Sequence, residues 1–217
     1  MELAAQQVLA GVVVAAIALT YALGPGFRAQ RVYGLRFSHA PTWWDGRVAT
    51  TILTLVAIVI ACATLWGSAD LVLALPLVVF GPTLALTDIA VHRLPNAITT
   101  AFAVLSVVVL ITAVILDSDS SRILRAVCAA GFFGLVFLLS NFVRGGFGMG
   151  DVKLAPSAFG LAAAHSLMGL GVMVGVTFVG AGLYALVLVA THRAKMSSPL
   201  ALGPWLMLGL LAGLAIG

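Results

Sequence analysis

Charge is what this sequence has least of. Only 8% of its 217 residues are Asp, Glu, Lys or Arg, against 62% hydrophobic, where a soluble globular chain carries about 25% charged residues. With a mean hydropathy of +1.18, that shortage excludes an ordinary soluble domain and predicts a polytopic membrane protein with the lipid bilayer as its surroundings. Cysteine is nearly absent too. Cys62 and Cys128 both fall inside hydrophobic runs, so they read as small buried hydrophobes and not as a disulfide or metal pair. No zinc-ligand spacing occurs, and no cofactor is expected. The net charge of +4 rests on so few residues that nucleic acid is not an expected partner. Membrane proteins collect Lys and Arg in cytoplasmic loops instead. Met1-Glu2 lacks the basic start of a signal peptide, so the first apolar run reads as a retained helix.

What is present is a series of apolar runs, at about 3–23, 48–66, 71–91, 98–116, 123–143, 152–164, 167–190 and 199–216. They predict an all-α fold of about eight transmembrane helices, forming a single membrane-embedded unit over 1–217. The sixth run is thirteen residues, about 20 Å of helix, which is less than a bilayer crossing. It is either short and shielded by its neighbours or partly re-entrant. Pro76 and Pro82 fall inside the third run and predict a kinked, well-packed helix. Small residues at four-residue spacing (Gly171 and Gly175; Gly209, Gly213 and Gly217) suit close helix packing. The basic residues set the orientation. Arg28, Arg31, Arg36, Arg47, Arg93, Arg144, Lys153, Arg193 and Lys195 fall on one side of an eight-span alternation, and only Arg122 and Arg125 on the other. The first side is therefore cytoplasmic, with both termini outside.

Two carboxylates stand out against this background. Asp151 closes a glycine-rich stretch, Arg144-Gly-Gly-Phe-Gly-Met-Gly-Asp-Val-Lys-Leu154, and Asp88 closes the third apolar run just before Pro95-Asn96. A carboxylate at bilayer depth costs about 2.5–3.5 kcal/mol on insertion scales, which makes it a functional candidate. Gly146, Gly148 and Gly150 are expected to allow positive φ and a close backbone approach to whatever Asp151 faces. The plainer alternative is a simple turn. A phosphate loop is excluded, since no Lys-Ser/Thr pair follows. Both acids fall at the side read as cytoplasmic.

Three stretches resemble the type IV prepilin peptidases, membrane-embedded aspartic proteases of the Gly-x-Gly-Asp type. Asp88 through Asn96 is similar to the family's Asp-x6-Pro-Asn pattern. Gly148-Met-Gly150-Asp151-Val-Lys153-Leu154 is similar to Gly-x-Gly-Asp-x-Lys-Leu. Leu202-Gly203-Pro204-Trp205-Leu206 is a weaker third match. The resemblance implies that Asp88 and Asp151 form a catalytic dyad, in which one carboxylate activates water and the other, protonated, supports the scissile carbonyl. It also implies a partner: a prepilin or pseudopilin precursor, with a hydrophobic helix behind a basic leader that is cut after Gly at the cytoplasmic face. Gly148 and Gly150 are then expected to shape the backbone around Asp151. Lys153 is expected to anchor the interface or bias a carboxylate. Pro95 and Asn96 are expected to close the turn, with Asn96 in reach of substrate. His92 reads as an ordinary boundary residue. Many such peptidases carry two Cys-x-x-Cys pairs in the first loop, associated with N-methylation; the 24–47 loop here has no cysteine, so methylation is not expected. Two other readings stay open: a transporter using the Asp pair as an ion site, and a catalytically inactive relative.

Overall fold

The computed structural model describes residues 15–21, 46–66, 68–92, 94–142, 148–193 and 200–217, and the described residues are helical with short links. After a helical stretch at 15–21 come α1 (Gly46–Leu65), a 3₁₀ turn (Ala69–Ala74), α2 (Leu75–Val91), α3 (Asn96–Asp117), α4 (Ser121–Ser140), α5 (Met149–His165), α6 (Leu167–Ala190) and α7 (Gly203–Ile216). Eight crossings are expected from the sequence. Among the described residues five spans are long and apolar enough to cross a membrane: Val48–Leu65, Ala69–Ala90, Asn96–Asp117, Ser121–Ser140 and Leu167–Ala190. Helices α5 and α7 are shorter. Most of the expected N-terminal span, residues 24–45 of the first loop, and residues 67, 93, 143–147 and 194–199, Lys195 among them, lie outside the described residues.

Burial sorts the helices into an inner and an outer set. The span containing α2 is 67% buried, whereas those of α4 and α6 are 17% buried and turn Leu124, Phe132, Leu135, Leu186 and Val187 outward. Apolar surface outside and polar groups inside is the arrangement a hydrocarbon solvent selects. Helix α5 is innermost: Leu154, Ala155, Ala158, Phe159 and Leu161 through Ala164 are all buried, and it packs on α3, α4, α6 and α7. Of the two expectations for the short sixth run, the shielded helix is the one observed. It has space because small residues line its contacts. A Cβ at Gly160 would meet the Ala126 carbonyl at 3.3 Å, and one at Gly134 would meet the Pro156 ring at 3.1 Å. The Phe133 and Phe159 rings stack at 3.9 Å, and Phe178 continues the stack at 6.3 Å. Lipid tails are as apolar as the side chains, so it is this packing, and not removal of surface from water, that holds α5 in place.

Several local expectations are corrected. Pro76 lies in the first turn of α2, where its missing N–H costs nothing, and Pro82 is the one proline inside that helix. Gly171 and Gly175 face open space, whereas Gly169 does the packing expected of them. A Cβ at Gly169 would lie 2.6 Å from the Gly213 carbonyl, and one at Gly213 would lie 2.5 Å from the Gly169 carbonyl. Such a backbone-to-backbone seam admits only glycine. Cys62 is half-buried and Cys128 exposed, so the latter is not the buried hydrophobe expected. Within α6, residues Gly175–Gly180 form one π turn. Its buried Thr177 donates to the Trp205 carbonyl at 3.3 Å, and Gly180 lies against the Trp205 ring.

The chain direction alternates, so the ends of the helices gather into two groups. At one end Arg122 bonds both Asp70 and Asp117, Arg125 reaches Asp119 and the Ala164 carbonyl, each at 3.3 Å, and His165 Nδ1 lies 3.2 Å from Asp70 Oδ2. In the loop itself the Ser121 hydroxyl, 2.6 Å away, holds the Asp119 carboxyl below its usual range. Asp70 thus belongs to an ionic cluster that ties the 3₁₀ turn before α2 to α4 and α5. The other end holds both candidate acids.

Candidate active site

Asp88 lies in the last turn of α2 and is 5% exposed. The helix stops immediately after it. His92 takes a left-handed conformation, φ 50°, and its N–H donates back to the Asp88 carbonyl at 2.9 Å, which closes the helix as a left-handed cap residue does. Leu94 and Pro95 are buried beneath the link. Pro95 precedes α3 with φ −64°, and its carbonyl accepts from the Ile98 and Thr99 N–H groups at 3.0 Å. Proline's fixed φ and absent donor suit this position, so the Asp-to-Pro-Asn spacing converts a helix end into a helix start within a few residues.

Asp151 lies in the first turn of α5, 7% exposed, where a carboxylate complements the helix dipole. Of the two roles expected of the glycines before it, positive φ is not taken at Gly148 or Gly150, while the close approach is. Gly148 precedes the helix with φ −63°, and Gly150 is already helical, so neither supplies a left-handed backbone. Their contribution is closeness. A Cβ on Gly150 would lie 2.7 Å from Leu94 Cβ, and one on Gly148 would lie 3.4 Å from Asp151 Oδ2. Without a side chain at 150, the start of α5 settles onto the link that follows Asp88, and the two carboxylates come to line one cleft. Gly146 lies outside the described residues. The second tie is Lys153, whose Nζ donates to Asn96 Oδ1 at 2.8 Å. It joins the first turns of α5 and α3, a more specific role than the interface anchoring expected of it.

The result is an open cleft of about 340 Å³ bounded by Asp88, His92, Leu94, Asn96, Met149 and Asp151, with Gly148 and Gly150 in its wall. All seven residues singled out from sequence (Asp88, Pro95, Asn96, Gly148, Gly150, Asp151 and Lys153) gather at this one end. Two more belong here that sequence reading passed over. His92 reads as a plain loop residue, yet lines the cleft. Gly203, known from sequence only as part of a weak motif, opens α7 and donates its N–H to Asp88 Oδ2 at 2.8 Å. A Gly-Pro pair at a helix start was the available signal, since proline there leaves the preceding N–H as the helix's forward donor. By contrast Asp151 Oδ1 is buried with no hydrogen-bond partner. Among the described residues no group of three metal-ligating side chains occurs.

The length and composition of its helices make this a membrane protein, and two of its buried carboxylates line one cleft. The family follows from comparison. A model described as the type IV leader peptidase family matches residues 75–192, more than half of the chain and both acids, and the chain belongs to that family. Comparisons with curated proteins and with solved structures gave no match.

Proposed function

We propose that this protein is an aspartic endopeptidase that removes the basic leader of a type IV prepilin-like or pseudopilin precursor, after a Gly, at the cytoplasmic face of the cell membrane. The observation that carries the reading is the pairing itself: Asp88 and Asp151 reach one cleft from two separate helices, each nearly buried. Two carboxylates so placed cannot both ionise cheaply, so they hold one proton between them. The ionised member takes a proton from water, whose oxygen bonds to the scissile carbonyl carbon. The protonated member gives its proton to the carbonyl oxygen. As the tetrahedral diol collapses, the C–N bond breaks, the first carboxyl protonates the departing amine, and the second recovers its proton from the diol. One water is consumed, and the dyad ends with its single proton.

Placement at the bundle edge supports a substrate whose hydrophobic helix stays in the bilayer while its leader crosses the cleft. The cytoplasmic assignment rests on the basic residues: Lys153 and Arg193 fall at the dyad end, while Arg122 and Arg125 fall at the other end among acids. The test is co-expression with a candidate precursor, reading leader loss on a gel and the new N-terminus by mass spectrometry. A family-type precursor left intact by the wild type overturns the reading, and is also the outcome a transporter gives.

A further inference from the structure

We propose that the backbone N–H of Gly203, at the head of α7, holds Asp88 as the ionised member of the pair, so that Asp88 activates the water and Asp151 supplies the proton. This rests on the peptidase reading above and assigns the two roles within it. The two carboxylates have unequal surroundings. Asp88 Oδ2 accepts the 2.8 Å bond from Gly203, and hydrogen bonding to a carboxylate favours its charged form. That donor is one of the free N–H groups at the α7 start, where the helix dipole adds in the same sense. The Gly148 backbone also eases a charge on Asp151, but Asp151 Oδ1 is buried with no hydrogen-bond partner, and an oxygen in that state is better served by carrying the proton.

The fit at Gly203 is specific. A Cβ there would lie 2.9 Å from Asp88 Oδ2, 3.0 Å from its Cβ and 3.1 Å from its Cγ, so any side chain displaces the carboxylate. Little else in the surroundings competes for the role. Helix α7 carries no titratable side chain, and 48–65 of α1 has only Cys62, toward its other end. Helix α3 offers Asn96 at this end, and α5 offers Asp151 and Lys153, the latter engaged by Asn96. His92, on the tail of α2, is the remaining titratable group on the cleft.

Gly203 is therefore a positioning residue, and the test replaces its N–H and little else. Incorporating the α-hydroxy analogue of glycine at 203 turns the amide into an ester and removes the donor without adding a Cβ. In the wild type kcat/KM for leader removal rises along an acid limb as the base ionises, then falls along a basic limb as the acid deprotonates. Losing the donor makes the Asp88 carboxylate harder to form, so the acid limb is expected to move upward by about one to two pH units. Gly203→Ala, which keeps the N–H but displaces the carboxylate, is expected to lower kcat by about 10²-fold with KM little changed. An ester variant whose basic limb moves while the acid limb stays reverses the assignment, and one with an unaltered profile overturns the role of Gly203. Both outcomes presuppose a wild type that cleaves and an Asp88→Asn that does not. A wild type that fails to cleave instead defeats the peptidase reading.

Discussion

At the scale of single residues, Asp88 and Asp151 can be tested by removing protonation chemistry without removing shape. Asn is nearly isosteric with Asp and still hydrogen-bonds, so Asp88→Asn and Asp151→Asn should insert normally yet lose leader cleavage by at least about 10²–10⁴-fold. Because the pair acts as a unit, the double variant should be no slower than the worse single one. Quantitative cleavage of purified precursor decides this, and near wild-type turnover by either variant contradicts a dyad. Both acids were legible in the sequence, since a carboxylate ending an apolar run is costly and therefore conspicuous. The bond from Gly203 was not, because a backbone donor leaves no trace in residue type and the two partners lie 115 residues apart.

At the scale of elements, the start of α5 depends on one missing methyl group. Gly150→Ala would bring its Cβ within 2.7 Å of Leu94 Cβ, which pushes α5 away from the link after Asp88. A shift of about 1 Å at a reacting group costs roughly 10²-fold in rate. The expected outcome is a folded protein with activity lower by about that factor, partly restored by Leu94→Gly, which removes the opposing Cβ. Activity across the double-mutant cycle measures the coupling, and additive losses contradict it. Among the described residues helix existence was readable, because apolar runs bounded by charge and glycine mark spans. The glycine roles were not. Spacing alone gave Gly171 and Gly175 the packing done by Gly169, since it cannot say which face of α6 meets α7.

At the scale of the whole molecule, the ionic cluster and the acid pair are tied to the same two elements. Helix α5 runs about 21 Å from Asp151 to His165, and the span of α2 runs from Asp70 to Asp88. Arg122→Met leaves Asp70 and Asp117 facing each other without their cation, and breaking such a partly buried network costs about 3–5 kcal/mol. The expected result is a lower midpoint of detergent-solubilised unfolding and reduced leader cleavage, although position 122 is far from the cleft. An unchanged midpoint contradicts the cluster's structural role. Orientation has its own check. In a variant lacking Cys62 and Cys128, cysteines placed at Ser118 and at His192 should label from opposite sides of the membrane. Labelling from one side contradicts the alternation.

The π turn at Gly175–Gly180 has a genetic consequence. One turn that holds an extra residue is equivalent to a one-residue insertion absorbed without rotating the helix on either side. Loss of a single codon from this stretch would therefore let α6 close into regular α-helix with 167–174 and 181–190 still in phase, whereas the same loss elsewhere in the helix would turn everything beyond it by about 100°. Residues 175–180 are thus the place in α6 where a frame-preserving deletion should be survivable. The contact it gives up is Thr177 to Trp205, which anchors the first turn of α7 and with it the Gly203 donor.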